Sequence, residues 1–225
     1  MNEKVISLIS GGIDSPLATL LASKNFKIIP INFCLYPKTS KESAFAAFHA
    51  LETLDKKIDF EKTIIFPWTG ILQEINKNTE DWLNCVSCRR VMLKTAEMIG
   101  EEENASAIIT GESIGQKASQ TIENIRATSS KIDMPVIRPL MGMDKNEIVK
   151  LSKEKNLFEE NHAGCCQASP NNPGTKVYPD RLNEELEDID LSKLILNSKE
   201  FSLEIEDFDK DGFESYLSNL EEKFG

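Results

Sequence analysis

The sequence lacks a hydrophobic run long enough to span a membrane, and this absence argues against a helical membrane protein. Its first ten residues, MNEKVISLIS, lack the basic-then-apolar order of a secretory signal peptide. We therefore expect a cytoplasmic protein with no membrane partner. In that compartment, the five cysteines of the 225-residue chain are expected to be reduced, metal-bound or catalytic rather than paired in structural disulfides.

Basic side chains are also in short supply. The chain holds 26 Lys and Arg against 37 Asp and Glu, a formal net charge of −11. Residues 180–225 hold 15 acidic and 5 basic side chains, whereas residues 1–179 hold 22 and 21. A protein that binds nucleic acid on its own usually has a basic surplus, because Lys and Arg displace counterions from phosphates. The composition therefore argues against strong independent affinity for nucleic acid, although it is compatible with a local basic patch.

Internal repeats and low-complexity segments are absent from the sequence as well. In the first 156 residues, short apolar runs alternate with stretches of helical periodicity. The runs that predict strands are KVISLI, KIIPINF, KTIIFPW, ASAIIT and MPVIRPL. Strands that alternate with helices predict an α/β fold, a Rossmann-like, mostly parallel sheet with helices on both faces.

The pattern changes near residue 156. A polar loop, NHAGCCQASPNNPGTKVYP, is followed by the acidic amphipathic segments DRLNEELEDIDLSKLILNSKEF and GFESYLSNLEEKFG, which predict helices. We therefore divide the chain into a main domain, residues 1–178, and an acidic helical C-terminal extension, residues 179–225. We expect the extension to be a solvated flank that packs one apolar stripe on the main domain.

Two glycines and two serines follow the first predicted strand closely, in the stretch LISGGIDSP, residues 8–16. Ligands of open parallel sheets bind beyond the carboxyl ends of the strands. Glycines there let backbone N–H groups approach a ligand, and the helix that begins near Asp14 directs the positive end of its dipole to the same place. The pattern indicates an anion site, most simply for phosphate, although a tight turn without a ligand explains the glycines about as well.

Neither of the common phosphate-binding motifs is present. A Walker A loop needs Lys and then Ser or Thr after its second glycine, and SGGIDSP has neither in place. The later segment TGESIGQKAS, residues 110–119, has Gln116 where that Lys should stand. The dinucleotide fingerprint with three spaced glycines is also missing. The stretch instead resembles the S-G-G-x-D-S pyrophosphate loop (PP-loop) of the ATP pyrophosphatases, a branch of the adenine nucleotide alpha hydrolases. These enzymes cleave ATP between the α and β phosphates.

The middle of the chain narrows the resemblance to one family. The segments CVSCRRVMLKTAEMI, IITGESIGQKASQTIENI and MPVIRPLMGMDKNEIV resemble the tRNA 4-thiouridine synthase family, also named the thiamine-biosynthesis sulfurtransferase family. The resemblance extends from about residue 4 to about residue 196 and is densest between residues 85 and 150. It implies an enzyme that uses ATP and Mg²⁺ to adenylate a substrate carbonyl oxygen, and that then replaces this oxygen with sulfur.

The resemblance also implies which residues hold the nucleotide. Asp14 is implied as a catalytic residue that lies close to Mg²⁺ and to the reacting phosphate. Arg89 takes a basic position that contacts ATP, although a surface ion pair at a helix start also explains an arginine there. The complete set implied for ATP is Leu8, Ile9, Ser10, Gly11, Gly12, Asp14, Ser15, Asn32, Phe33, Arg89, Gly111 and Gln120.

Four of the five cysteines fall in two close pairs, Cys85 with Cys88 and Cys165 with Cys166. In the family that the chain resembles, the later loop carries the cysteine that handles sulfur. Some members also use the C-x-x-C and that third cysteine to hold an iron–sulfur cluster. We expect Cys85, Cys88 and Cys166 to be the cluster ligands, with Cys165 as the substitute for Cys166. Three thiolates on a cluster leave one iron open to external sulfide.

Other roles for these cysteines stay open. Cys166 could carry a persulfide that is resolved by a disulfide with Cys85 or Cys88, without any metal. Structural zinc needs four ligands, and His162 or Cys165 could supply the fourth. The fifth cysteine, Cys34, is expected to be a buried small hydrophobe.

The resemblance implies sulfuration of tRNA, at C4 of a uridine, as the leading function. Sulfide or a cysteine desulfurase is the expected sulfur donor, and a homodimer is the expected assembly. The sequence begins at the first strand of the catalytic domain and shows no ferredoxin-like, THUMP or rhodanese segment. We therefore expect a separate RNA-binding protein to present the tRNA. The alternatives are sulfuration of a small molecule or carrier protein in thiamine biosynthesis, and a non-catalytic ATP-binding subunit that bears a cluster.

Overall fold

The computed structural model describes residues 3–157, 170 and 172–225 of the chain. Within these residues the strands form one six-stranded sheet in the order β5–β4–β1–β2–β3–β6. The strands are β1 (Lys4–Ile9), β2 (Lys27–Cys34), β3 (Thr63–Pro67), β4 (Ile108–Ile109), β5 (Val136–Ile137) and β6 (Leu203–Ile205). β6 is antiparallel to β3, and the other neighbouring pairs in the described sheet are parallel. The predicted α/β fold class is therefore confirmed.

Helices cover both faces of this sheet. They are α1 (Asp14–Ala22), α2 (Lys41–Ile58), α3 (Thr69–Asn78), α4 (Asn84–Glu102), α5 (Ile122–Ser129), α6 (Lys145–Glu154), α7 (Pro179–Leu186), α8 (Leu191–Lys199) and α9 (Lys210–Phe224). Short 3₁₀ turns at Asp81–Leu83 and Ala118–Gln120 precede α4 and α5. Across the described ranges, each helix is too short or too polar to cross a bilayer.

The central strand β1 lies between two hydrophobic cores because its side chains alternate between the faces of the sheet. Val5 and Ile9 pack in the core that contains α1 and α2. Ile6 and Leu8 pack in the core that contains α3 and α4. The parallel register sets Ile9, the last residue of β1, opposite Asn32, two residues before β2 ends at Cys34. The carboxyl ends of both strands therefore lie at the same edge of the sheet.

Local sequence signals match two of the helix starts and miss a third. Ser40 is the N-cap of α2, and its side chain accepts a hydrogen bond from the Ser43 backbone N–H. Asp144 caps α6 in a reciprocal capping box with Glu147. The segment RRVMLKTAEMIGEEE, residues 89–103, has the periodicity of a helix, but the helix found there, α4, begins earlier, at Asn84. The C-x-x-C segment is therefore helical.

The acidic extension adds a strand to the sheet, which the sequence does not predict. β6 pairs with Thr63–Ile65 of β3. After it, Phe213 of α9 stacks on Phe48 of α2 with ring centroids 4.6 Å apart. The division of the chain at residue 178 stays a prediction, but the segment after it shares a core with the main domain.

Candidate functional site

A cleft of about 630 Å³ opens at the carboxyl edge of β1, β2 and β4, where parallel sheets hold their ligands. The residues that the resemblance assigns to ATP all line it, namely Leu8, Ile9, Ser10, Gly11, Gly12, Asp14, Ser15, Asn32, Phe33, Arg89, Gly111 and Gln120. Cys85 and Cys88 line the same cleft. The fold thus brings the predicted nucleotide residues and the C-x-x-C together, while their chemical roles stay predictions.

The loop between β1 and α1 is held by its own serines. The Ser15 hydroxyl accepts a hydrogen bond from the Ser10 backbone N–H at 2.9 Å and lies 3.1 Å from the Ser10 hydroxyl. One turn later, the Thr19 hydroxyl lies 2.7 Å from that of Ser7 in β1. These bonds fix the loop against the N-terminus of α1, whose first-turn N–H groups and dipole attract anions.

Gly111 allows the loop after β4 to pass directly against the start of α1. A Cβ atom on Gly111 would lie 2.5 Å from the Ser15 backbone nitrogen and 2.8 Å from the Asp14 carbonyl carbon. No side chain fits there unless the backbone of α1 moves. Gly11 is less tightly constrained, since its Cβ would lie 3.0 Å from the Ala47 nitrogen of α2. Packing within the protein therefore requires glycine at position 111, whatever the ligand.

Among the described residues, the cleft wall beyond β2 contains one aromatic side chain, Phe33. Phe33 packs against the buried Trp68 with ring centroids 4.6 Å apart. The neighbouring Asn32 is also buried, and its side-chain amide donates to the Ile9 carbonyl oxygen at 2.9 Å. That hydrogen bond ties the ends of β1 and β2 together. A flat apolar wall beside an anion loop is suited to a nucleobase attached to phosphates.

A buried carboxylate that the sequence analysis did not single out lies behind Arg89. Glu112 is 1% exposed and binds Arg89 Nε at 3.0 Å and Arg138 Nε at 2.7 Å. The Thr110 hydroxyl donates a further hydrogen bond at 3.0 Å. Burial raises the pKa of Glu112, but attraction to the two arginines and their hydrogen bonds outweigh it and lower the pKa to about 2. Glu112 is therefore ionised at neutral pH, and Arg89 has a buried partner rather than a surface one.

Lys145 is a second residue beside the cleft that the predicted set omits. It is the first residue of α6, and its Nζ lies 2.7 Å from Oδ1 of Asp14. The pair places a cation next to the carboxylate of the loop, where a phosphate or a divalent ion would compete for either charge. The sequence held a signal for it, because Lys145 lies within MPVIRPLMGMDKNEIV, one of the segments that carry the family resemblance.

The C-x-x-C is presented to the cleft by one face of α4. Cys85 and Cys88 are separated by three positions of the helix, a spacing that puts both side chains on the same side. The indole Nε1 of Trp68 donates to Cys88 Sγ at 3.2 Å. Among residues 3–157, 170 and 172–225, no three His, Cys, Asp or Glu side chains form a group that could hold a metal ion.

Of the three remaining cysteines, the structure describes Cys34 alone. Cys34 is 3% exposed, as expected for a small hydrophobe, and burial raises the pKa of its thiol to about 11. Cys165, Cys166 and His162 lie outside the described residues. The assignment of a third cluster ligand therefore stays a prediction.

Two glutamines complete the cleft. Gln116 Nε2 and Gln120 Oε1 are buried and have no hydrogen-bond partner within the described part of the chain. Both residues line the cleft. Because a buried unpaired amide is costly, a ligand, water or another part of the chain is expected to supply the partners of these two atoms.

The family model described as "Thiamine biosynthesis protein (ThiI)" matches residues 1–191. The chain belongs to this family. The resemblance drawn from LISGGIDSP and from the three segments between residues 85 and 150 is thereby confirmed.

Curated relatives carry a related name. A "Probable tRNA sulfurtransferase" of Acetivibrio thermocellus is 38% identical over 207 residues, which is 88% of this chain and 50% of that protein. A protein of the same name from Methanothermobacter thermautotrophicus is 34% identical over 200 residues, which is 84% of this chain and 50% of that protein. The ThiI-family chain thus spans about half the length of these relatives.

Solved structures agree with the fold. A 4-thiouridine synthetase, crystallised as an RNA complex with bound ATP, matches with a TM-score of 0.79 and 32% identity over 90% of this chain and 55% of that one. The U34-tRNA thiolase NcsA from Methanococcus maripaludis, solved with its [4Fe-4S] cluster, matches with a TM-score of 0.53 and 17% identity over 99% of this chain and 73% of that one. At that identity, the second likeness concerns the fold alone.

Proposed function

We propose that this ThiI-family chain is the catalytic unit of an ATP-dependent tRNA sulfurtransferase that converts a uridine to 4-thiouridine. The observation that carries the proposal is the shared cleft, in which an anion loop, the aromatic side chain of Phe33 and the residues Cys85 and Cys88 line one space. The names of the similar proteins support tRNA, sulfur and ATP as the reactants. An enzyme that only hydrolysed ATP would not need thiols beside its phosphates.

The first proposed step is adenylation of the uridine. The C4 carbonyl oxygen attacks the α phosphorus of ATP, the bond to the bridging oxygen breaks, and pyrophosphate leaves. The loop of Ser10, Gly11 and Gly12 holds the leaving pyrophosphate at the N-terminus of α1. Arg89 supplies a permanent positive charge beside it. Holding both reactants and stabilising the phosphate charge supply most of the rate enhancement.

The second proposed step exchanges oxygen for sulfur. Hydrosulfide adds to C4, AMP departs with the former carbonyl oxygen, and the added sulfur loses its proton. This route transfers no net electrons. The persulfide route differs, because transfer of the terminal sulfur breaks an S–S bond and leaves a disulfide between Cys166 and Cys85 or Cys88. Each turnover then consumes a dithiol reductant.

The donor set fits Mg²⁺ and part of a cluster. Asp14 is the one carboxylate among the described residues that line the cleft, and Mg²⁺ on a nucleotide is usually held by one or two carboxylates and the phosphates. Cys85 and Cys88 fit two thiolate positions of an iron–sulfur cluster, and we assign the third to Cys166, with Cys165 as its substitute. Such a cluster, when bound, supplies an iron position that can take external sulfide. Zinc or no metal are the alternatives.

Cys166→Ala is expected to abolish 4-thiouridine formation while adenylation persists. The variant keeps the cleft of Asp14 and Arg89, so tRNA-dependent exchange of labelled pyrophosphate into ATP is expected to continue near the wild-type rate. The thiolated nucleoside is measured after digestion of the tRNA. Cys165→Ala is the matched control and is expected to retain both activities. The opposite pattern would exchange the roles of the two residues, and sulfur transfer in both variants would contradict an essential role for either one.

Metal analysis separates the three uses of the cysteines. Anaerobically purified protein that holds a cluster is brown, contains iron and sulfide, and loses both in Cys85→Ala and Cys88→Ala. A colourless protein with stoichiometric zinc favours a structural site. A colourless protein without metal favours the persulfide route.

The proposal includes the partners that the resemblance implies. The sulfur donor is sulfide or a cysteine desulfurase, and the assembly is a homodimer. Because the chain carries a net charge of −11, its own affinity for tRNA phosphates is expected to be low. A separate RNA-binding protein is therefore proposed to present the tRNA.

A further inference from the structure

The cluster formed by Glu112, Arg89, Arg138 and Thr110 has no role in the steps above except through Arg89. Arg89 lines the cleft, whereas Glu112 lies behind it and is 1% exposed. Burying a carboxylate with two arginines adds little net stability, because the cost of removing the charges from water offsets their attraction. Stability alone therefore does not explain why Glu112 is buried directly behind Arg89.

We propose that Glu112 is a positioning residue that holds the Arg89 guanidinium toward the phosphates of ATP. The inference rests on the proposed function, since it takes those phosphates as the ligand. Glu112 binds Arg89 through Nε, so the two terminal nitrogens of the guanidinium stay outside that bond. These terminal nitrogens are the ones that bind phosphate oxygens as a fork.

The other side of Glu112 is anchored to the sheet. Its Oε2 accepts from the Thr110 hydroxyl at 3.0 Å and from Arg138 Nε at 2.7 Å. Arg138 is itself held by the Ser129 hydroxyl, 2.8 Å from Nη2. The carboxylate therefore cannot turn away from Arg89 without breaking bonds to residues that follow β4 and β5. Glu112, held in place by these bonds, therefore fixes the direction of the Arg89 side chain on α4.

The next residue along α4 shows the contrast. The Arg90 guanidinium is buried and donates to the Thr128 carbonyl oxygen at 2.9 Å and to Asn183 Oδ1 at 3.1 Å. It also bonds the Ala127 carbonyl oxygen and the Ser130 hydroxyl. Arg90 therefore joins α4, α5 and α7, whereas Arg89 lines the cleft and, among the described residues, pairs with Glu112 through Nε.

Glu112→Gln distinguishes a positioning role from a purely electrostatic effect, because the two predict opposite changes in the affinity for ATP. Removal of a negative charge behind an anion site should tighten ATP binding if charge alone mattered. Under the positioning role, the amide oxygen of the substituted side chain takes the place of Oε2, where Thr110 and Arg138 both donate. The amide NH₂ group then faces the Nε–H of Arg89, donor against donor. Arg89 loses its anchor, and ATP binding weakens.

Calorimetric titration with ATP and with inorganic pyrophosphate, each with Mg²⁺, measures the effect. We expect Glu112→Gln to bind both ligands about tenfold more weakly than wild type, the loss typical of one charge-assisted hydrogen bond. Glu97→Gln is the matched control. Glu97 is equally buried and pairs with Lys94, but its other bonds go to the backbone N–H groups of Asp133 and Met134, away from the cleft. The Glu97→Gln variant is expected to bind ATP and pyrophosphate with the wild-type affinity.

A double-mutant cycle tests whether Glu112 acts through Arg89. In an Arg89→Gln background, Glu112→Gln is expected to cause no further loss of affinity, because the residue it positions is gone. An equal loss in both backgrounds, or unchanged or tighter binding in E112Q, overturns the positioning role while leaving the proposed function intact. Wild-type protein that binds neither ligand overturns the proposed function and this role with it. If E112Q does not fold, Glu112→Gln combined with Arg138→Gln takes its place, because that pair also removes the surplus buried cation.

Discussion

Asp14→Asn is expected to lower the rate of AMP and pyrophosphate formation by on the order of 10²- to 10³-fold, a loss similar to that caused by removing one preorganised electrostatic contact to a transition state. Asp14 begins α1, lines the cleft and bonds Lys145 Nζ at 2.7 Å. The substitution keeps the shape of the side chain but removes the charge that a divalent ion requires. ATP affinity is expected to change far less, because Arg89 and the loop at Ser10–Ile13 are unaltered. Initial rates by chromatography and binding by calorimetry separate the two effects.

Glu61→Gln is the control for loss of an acid–lysine pair. Glu61 lies 3.1 Å from Lys4, which begins β1, so the pair lies at the opposite edge of the sheet from the cleft. This variant is expected to react at the wild-type rate. If Asp14→Asn also kept a rate within a few-fold of wild type, the loop after β1 would not be the place where ATP is cleaved.

Gly111→Ala is expected to weaken both the fold and the binding of ATP. The added methyl group would meet backbone atoms of Ser15 and Asp14 at 2.5 to 2.8 Å, so the start of α1 must shift. Overpacking of this kind costs about 2 kcal/mol, which lowers the melting temperature of a chain of this length by about 4–8 °C. Because Ser15 holds the loop through the Ser10 backbone N–H, the phosphate site moves with the helix. Thermal unfolding and ATP titration measure both effects.

Gly142→Ala provides the comparison for this prediction. Gly142 is exposed, and a Cβ atom there would meet nothing within 4 Å. The free energy of unfolding of the Gly142→Ala variant is expected to stay within about 0.5 kcal/mol of the wild-type value. If the two glycine variants were equally stable, that result would contradict the close contact between Gly111, after β4, and the start of α1.

Features that depend on neighbouring residues in the chain could be predicted from the sequence. The apolar run of Lys4–Ile9 followed by Ser10–Ile13 indicates the strand, loop and helix that form the anion site, because each depends on local periodicity and on glycine. Ser40 and Asp144 indicate helix starts for the same reason. The family resemblance then named the residues that line the cleft, although it did not supply the contacts among them.

Features that depend on distant parts of the chain were missed. Glu112 meets Arg89 and Arg138 across 23 and 26 positions, and Lys145 meets Asp14 across 131. No periodicity marks such pairs, because the folded sheet alone brings their elements together. β6 was missed for a different reason. It has three residues, one of them Glu204, and lies between the two acidic segments that predict helices, so only its pairing with β3 defines it as a strand.

The most direct test of the account is an anaerobic reaction of the protein with ATP, Mg²⁺ and unmodified tRNA, in which nucleotide products and 4-thiouridine are both counted. The tRNA is supplied at a saturating concentration, because the affinity of the protein for it is expected to be low, and the reaction is run with sulfide and, in parallel, with cysteine, a cysteine desulfurase and a dithiol. The account predicts AMP and pyrophosphate as the products of ATP, with one AMP formed for each 4-thiouridine and neither formed without tRNA. ADP and phosphate as the products, or AMP that accumulates with tRNA while no thiolated nucleoside forms, would contradict an ATP-dependent tRNA sulfurtransferase.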